Sequence, residues 1–168
     1  KALHLGGFFG YYNDSSTVVT QNTIKECTVS SDAKIIMAGT VNNELRMGGI
    51  IAWMKKSARP MYLYGCSNYG TLELAPTAKT TSTTAIGGLI GKPEAKTVNF
   101  VGCWNEGNFN ISGNSLAGTY VGGLVGNNYS GVITASTSTE YPYFYNRGNI
   151  TIGNTNEGDA QMTITSHL

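Results

Sequence analysis

A short motif that recurs four times constrains this chain more than any other feature of its sequence. It consists of an apolar residue, two glycines and two further apolar residues, and the first glycines of successive copies are 42, 39 and 35 residues apart. A motif that persists while the interval varies is typical of stacked repeats whose extra residues lie in loops. The copies are Leu5-Gly6-Gly7-Phe8-Phe9, Met47-Gly48-Gly49-Ile50-Ile51, Ile86-Gly87-Gly88-Leu89-Ile90 and Val121-Gly122-Gly123-Leu124-Val125.

A second motif follows each of the last three copies, and an alternation of apolar and polar residues follows it. Such a period of two predicts strands with one buried face. In the first repeat, Cys27-Thr28-Val29-Ser30-Ser31 keeps the cysteine but lacks the asparagine and the glycine. The three full copies are Cys66-Ser67-Asn68-Tyr69-Gly70, Cys103-Trp104-Asn105-Glu106-Gly107 and Phe144-Tyr145-Asn146-Arg147-Gly148.

Repeats that cannot bury an apolar face alone are stable when they stack. We therefore predict an all-β fold, a parallel β-helix (β-solenoid) in a single domain over 1–168, with about four units at 5–46, 47–85, 86–120 and 121–160. We also expect the chain to be a fragment of a larger protein. Stacking predicts vertical columns of equivalent side chains. The columns are Phe8, Ile50, Leu89 and Leu124 facing inward, Leu72, Phe109 and Ile150 also inward, and a hydrogen-bonded ladder of Asn68, Asn105 and Asn146.

These motifs resemble the GLUG repeats, named for glycine-leucine-hydrophobic-glycine, of large bacterial surface and secreted proteins, including adhesin-like chains of Bacteroidetes type. Gly88-Leu89-Ile90-Gly91 and Gly123-Leu124-Val125-Gly126 match the motif fully, whereas Gly7-Phe8-Phe9-Gly10 and Gly49-Ile50-Ile51-Ala52 depart from it. The resemblance implies a right-handed parallel β-helix, a secreted or cell-surface location, and a binding or structural role. It implies no catalytic residues.

Composition narrows the partners that we expect. Charged residues make up 12% of the chain and the formal net charge is +1, so there is no long-range field to attract nucleic acid. No apolar run approaches the roughly 18 residues of a membrane-spanning helix, and we expect the chain not to span a membrane. At 40% hydrophobic residues, the chain can bury a core.

Candidate chemical sites are sparse. Cys27, Cys66 and Cys103 occupy equivalent positions in three repeats, which is best explained as a column of inward-facing thiols, with a metal or redox site and an inter-repeat disulfide as alternatives. Among the ten acidic residues only Glu157 and Asp159 lie close together in the sequence, where we expect a turn. We predict no catalytic site, no metal site and no cofactor.

Aromatic residues carry the functional prediction. Alternation places Tyr69, Trp104 and Tyr145 on the outside of the predicted stack, and Tyr141 and Tyr143 lie in an insertion nearby. Exposed aromatic rings stack against sugars and suit protein partners. We therefore predict a non-catalytic module for adhesion or ligand binding, with a glycan or an extracellular protein as its partner and these five residues as its site. The alternatives are a carbohydrate-active β-helix enzyme and a purely structural stalk.

Overall fold

The chain folds as a β-solenoid, which confirms the predicted fold class. The structure, a computed structural model, describes residues 1–14, 20–55, 58–112, 115–116, 118–128, 131–153 and 162–165. Within these residues every regular element is a strand, and all strand pairs except one are parallel. The strands coil through about three full turns and part of a fourth. The hand of the coil stays a prediction.

Each of the first three turns contains six short strands in the same order. The first turn comprises β1 (Leu3–Gly6), β2 (Phe9–Tyr12), β3 (Asn22–Lys25), β4 (Thr28–Val29), β5 (Lys34–Met37) and β6 (Thr40–Val41). The second comprises β7 (Leu45–Gly48), β8 (Ile51–Met54), β9 (Pro60–Tyr64), β10 (Ser67–Asn68), β11 (Thr71–Leu74) and β12 (Lys79–Thr80). The third comprises β13 (Thr84–Gly87), β14 (Ile90–Pro93), β15 (Thr97–Val101), β16 (Trp104–Asn105), β17 (Phe109–Ile111) and β18 (Ser115–Leu116).

The fourth turn is incomplete in the described residues. It comprises β19 (Thr119–Gly122), β20 (Val132–Ser136), β21 (Tyr145–Asn146) and β22 (Asn149–Ile152). A last strand, β23 (Met162–Thr165), lies antiparallel along β22. It therefore covers the outer edge of one sheet at this end of the stack.

Equivalent strands of successive turns pair in parallel and in register, and the strands form six sheets. Four of these sheets matter below: β1-β7-β13-β19, β2-β8-β14, β3-β9-β15-β20 and β4-β10-β16-β21. The register follows the repeats, because Gly48 pairs with Gly6 and Gly87, and Asn105 pairs with Asn68 and Asn146. The remaining sheets are β5-β11-β17-β22-β23 and β6-β12-β18.

The two repeated motifs meet inside the solenoid. A Cβ atom on Gly88 would lie 2.5 Å from Cγ of Asn105 and 2.0 Å from the carbonyl oxygen of Gly123, so only glycine fits at this position. Gly49 approaches Asn68, and Gly123 approaches Asn146, in the same way. In the second, third and fourth turns the Gly-Gly bend thus contacts the asparagine on the opposite wall, whereas in the first turn Gly7 contacts Val29.

This contact divides the interior into two apolar cores. Ile50, Leu89 and Phe100 belong to one core, and Met47, Leu72 and Phe109 belong to the other. The predicted column of Leu72, Phe109 and Ile150 is confirmed, because the three residues pair in register and all are buried.

The prediction for Phe8 is wrong. Ile50 and Leu89 are fully buried and Leu124 packs against the same core, whereas the side chain of Phe8 is 48% exposed. The backbone of Phe8 keeps the register of the column, since its N–H donates to the carbonyl of Ile50. Its side chain is exposed because it lies in the first turn, and no other described turn covers that end of the core.

The asparagine ladder is confirmed. Nδ2 of Asn68 donates to Oδ1 of Asn105 at 2.7 Å, and Nδ2 of Asn105 donates to Oδ1 of Asn146 at 2.7 Å. Each amide also donates to the carbonyl of the glycine two residues later. The ladder therefore satisfies buried amides while it ties three turns together.

Candidate ligand-binding site

A sharp bend links the sheet β3-β9-β15-β20 to the sheet β4-β10-β16-β21. The bend residues Glu26, Gly65 and Gly102 have φ values of 54°, 57° and 57°, in the left-handed region. Each follows the last residue of its strand, and these last residues pair in register. The three bend residues therefore stack as a column, which we call the bend column. A non-glycine residue in this conformation costs about 1–2 kcal/mol, so Glu26 is expected to offset that cost elsewhere.

Residues 137–144, which we call the strap, run across this column. A Cβ atom on Gly65 would lie 2.6 Å from a ring atom of Tyr141. A Cβ atom on Gly102 would lie 2.2 Å from Cβ of Tyr141. The Tyr141 hydroxyl donates to Oε1 of Glu26 at 2.7 Å. The strap therefore connects the fourth turn to the first, and this bond explains the acidic residue at the bend.

Tyr69, Trp104 and Tyr145, which we call the aromatic column, lie on the outer side of the solenoid as predicted, but each is half-buried. The rings of Trp104 and Tyr145 are stacked with centroids 6.2 Å apart, and Nε1 of Trp104 donates to the hydroxyl of Tyr69 at 2.9 Å. These residues use much of their surface on one another. They therefore leave less ring surface free for a ligand than the sequence suggests.

The aromatic column carries charge at its fourth-turn end, around Tyr145. The Tyr145 hydroxyl donates to Oε1 of Glu106 at 2.5 Å, and the guanidinium of Arg147 lies 4.6 Å above the Tyr145 ring. Burial and the Glu106 bond raise the pKa of Tyr145 to about 12. Tyr145 is therefore a neutral hydrogen-bond donor over the physiological range.

The structure separates the two tyrosines of the strap. Tyr143 is 61% exposed and meets Trp104 edge to face, with ring centroids 6.4 Å apart. Tyr141 is only 9% exposed, because it packs on the bend column. The expectation that Tyr141 belongs to an exposed aromatic cluster is wrong, since the absence of side chains at Gly65 and Gly102 leaves room for its ring.

Beside the strap lies an open groove of about 450 Å³ on the outer face of the sheet β3-β9-β15-β20. Its aromatic wall is Tyr64, whose ring is nearly parallel to that of Tyr62 at 5.9 Å and lies 6.0 Å from that of Tyr141. Nζ of Lys25 lies 5.2 Å from the centre of the Tyr64 ring. The full lining is Gln21, Thr23, Lys25, Tyr64, Val101, Ser138, Glu140 and Tyr141.

Sequence reasoning missed this groove. A signal was present, because Met61-Tyr62-Leu63-Tyr64 alternates and its two apolar residues are buried, which leaves both tyrosines on the outer face. The tyrosines are not part of either repeated motif. The groove also needs the strap, whose path no repeat predicts.

A charged cluster, also missed, lies at the bend between β7 and β8. Arg46 and Lys92 are 5% and 6% exposed. Arg46 pairs with Glu44, and Nζ of Lys92 lies 3.4 Å from Glu44 and 3.0 Å from Glu94. The guanidinium of Arg46 covers the Trp53 ring at 4.2 Å. Two cations and two carboxylates thus neutralise one another in a partly buried network.

The three cysteines occupy equivalent positions as predicted, and all are free thiols. Cys66 and Cys103 are fully buried and Cys27 is half-buried. The hydrogen bond with Cys103, together with burial, raises the pKa of Cys66. Among the described residues no three acidic, histidine or cysteine side chains are grouped as metal ligands. The neighbouring acids Glu157 and Asp159 lie outside the described residues.

No protein-family model, no curated protein and no solved structure matches the chain. In the described part of the chain, no helix is long and apolar enough to cross a membrane.

Proposed function

We propose that this chain is a non-catalytic β-solenoid module that binds an extracellular ligand, a glycan or a protein, and so mediates adhesion. The observation that carries the proposal is the concentration of aromatic residues at one corner of the solenoid. This aromatic corner spans two neighbouring outer faces and the strap between them. Its members are Tyr62, Tyr64, Tyr69, Trp104, Tyr141, Tyr143 and Tyr145.

The physical character of the corner supports binding. Rigid aromatic side chains lose little conformational entropy when a ligand is bound. Here Tyr62, Tyr64 and Trp104 lie in strands that have a parallel neighbour on both sides. Polar groups of Lys25, Glu106 and Arg147 lie against the rings. An amphipathic surface on a rigid scaffold is typical of recognition sites.

The location and the family are part of the same proposal. The repeats are similar to the GLUG motifs of bacterial surface and secreted proteins, and we propose a secreted or cell-surface module of that type. A hydrogen-bonded stack that repeats without a break is stiff. Such a stack would hold the aromatic corner at a fixed distance from whatever the module is attached to.

The test is binding of the whole chain to arrays of glycans and of extracellular matrix proteins. We expect at least one class of ligand to bind, and the triple variant Tyr62→Ala/Tyr64→Ala/Tyr143→Ala to lose that binding. The matched control, Tyr11→Ala/Tyr120→Ala, removes exposed tyrosines from other faces and should bind like the parent. Silence on both arrays would refute the proposal and favour a structural stalk.

The charged cluster is the one observation that favours a carbohydrate-active enzyme, because it brings Glu44 and Glu94 to the same buried lysine, Lys92. Each carboxylate is paired with a buried cation, which suits structural support better than acid–base catalysis. We expect no new reducing ends and no unsaturated products when neutral or acidic polysaccharides are incubated with the protein. Product formation that Glu94→Gln abolishes would establish the enzyme instead.

A further inference from the structure

We propose that the groove beside Tyr64 binds a short, uncharged oligosaccharide that lies along the solenoid axis. This inference deepens the proposed function and rests on it, since it names one ligand class and one place within the aromatic corner. Tyr62 and Tyr64, the aromatic residues nearest this groove along β9, lie outside both repeated motifs.

The walls of the groove combine the two kinds of surface that a sugar offers. The faces of a pyranose ring carry C–H groups, which pack on aromatic rings, and Tyr64 supplies a half-buried ring at the groove wall. The sugar hydroxyls need both donors and acceptors. Gln21, Thr23 and Ser138 provide both in side chains that line the groove.

The polar groups of the groove are available to a ligand. Within the described residues, the side chains of Gln21 and Thr23 form no hydrogen bond. Oγ of Ser138 accepts a bond from the N–H of Tyr141 at 3.0 Å, which leaves its own hydroxyl hydrogen to donate. A hydroxyl-rich ligand could therefore bind without breaking the internal bonds of the strap.

The charge of the groove favours a neutral ligand. Lys25 and Glu140 are its two charged lining residues, and their formal charges cancel. The nearby carboxylate of Glu26 already accepts a hydrogen bond from Tyr141. A uronate or another acidic sugar would meet no net positive charge here, and Glu140 would repel it.

The shape of the groove favours a chain of sugars over a peptide strand. Its lining comes from all four turns, with Lys25 in the first, Tyr64 in the second, Val101 in the third and the strap in the fourth. Three strand spacings of about 4.8 Å give it a length of roughly 14 Å along the axis. The central strands β9 and β15 are already paired on both sides, so a peptide could not add to this sheet there.

The experiment is calorimetric titration of the whole chain with tetrasaccharides of one length. The neutral probes are β-linked tetramers of glucose, xylose and N-acetylglucosamine, and the acidic probe is tetragalacturonate. We expect one neutral probe to bind, Tyr64→Ala to weaken it about ten-fold and Gln21→Leu to weaken it measurably. Tyr64→Phe, which keeps the ring, should bind more tightly than Tyr64→Ala. Tyr120→Ala, on another face, should stay within about two-fold of the parent.

The outcomes separate this inference from the proposed function. Stronger binding of tetragalacturonate, or loss of a neutral probe in Tyr143→Ala but not in Tyr64→Ala, would overturn the groove assignment and leave the binding module intact. Binding of matrix proteins through the aromatic corner, with no tetrasaccharide bound, would do the same. Circular dichroism of Tyr64→Ala tests its folding, and Gln21→Leu tests the site independently because Gln21 is exposed.

Discussion

At the scale of single residues, the contact between glycine and asparagine explains why two motifs recur together. The backbone of Gly88 lies so close to Asn105 that any side chain would displace the asparagine amide. The amide in turn bonds to the turns above and below. Neither residue can change alone, because each fills the space that the other leaves.

Removing the middle amide should therefore be costly. Asn105→Ala removes one of the two acceptors of Nδ2 of Asn68, and it takes the Asn105 donor from Oδ1 of Asn146 and from the carbonyl of Gly107, all in the buried interior. We expect the free energy of unfolding to fall by about 3 kcal/mol, measured by chemical denaturation. Asn110→Ala removes an exposed asparagine from β17 and should change it by less than about 0.5 kcal/mol. Equal effects of the two variants would contradict the ladder.

His4, beside the charged cluster, makes the free energy of unfolding depend on pH. Its ring lies 4.9 Å from that of Trp53, and burial together with the positive charge of Arg46 lowers its pKa from 6.5. Protonation therefore favours the unfolded chain, so the stabilising contribution of His4 is full above pH 6.5 and is lost as the pH falls below it. We expect the drop in unfolding free energy between pH 8 and pH 5.5 to be smaller in His4→Gln than in the parent. An unchanged drop would show that His4 does not titrate in this way.

Residues in register with the repeats could be predicted from the sequence, and those outside it could not. Asn105 and Phe109 recur at fixed offsets from their motif, so stacking alone determines their neighbours. Arg46 and Lys92 flank the Gly-Gly bend in only one repeat each. Their burial depends on how the strands within one turn are arranged, which the spacing of the repeats does not show. Phe8 was misjudged because the sequence does not show which turn is left uncovered.

At the scale of elements, the strap is the part that organises the site. It supplies Tyr143 to the aromatic column and Ser138, Glu140 and Tyr141 to the groove. The strands supply ordered outer faces, but the groove exists only where the strap adds a wall. The five predicted site residues include both strap tyrosines, yet one serves as a structural anchor and the other as surface.

Truncating the two strap tyrosines should separate these roles. Tyr141→Ala removes the ring that packs on Gly65 and Gly102 and the bond to Glu26, so we expect a lower thermal midpoint and faster proteolytic cleavage within 137–144. Tyr143→Ala, in the same strap but exposed, should leave both properties nearly unchanged. If the two variants melt and cleave alike, Tyr141 does not anchor the strap.

At the scale of the whole molecule, the two ends of the stack differ. At one end β23 covers the edge of β22, whereas in the described residues the strands of the first turn have neighbours on one side alone. Phe8 and Phe9 are exposed in the same turn, at 48% and 37%. Open strand edges beside exposed apolar side chains favour association.

We therefore expect the isolated chain to self-associate through its first turn as concentration rises. Phe8→Ser should reduce the association seen by sedimentation velocity, because it removes apolar surface from the open end. Ile36→Ser is the matched control, since Ile36 is equally exposed, at 49%, and belongs to the same turn, but lies on the outer face of β5. A parent that sediments as a monomer at all concentrations would contradict the expectation.

The hydrogen bond from Tyr141 to Glu26 fixes the number of solenoid turns that the strap can span. A strap of fixed reach spans the distance from the fourth turn to the first, and one inserted turn would lengthen that distance by about 4.8 Å. A hydrogen bond of 2.7 Å does not tolerate such a gap. Any longer version of this solenoid must therefore gain its additional turns outside 26–141. The aromatic corner would keep its dimensions in such a longer protein.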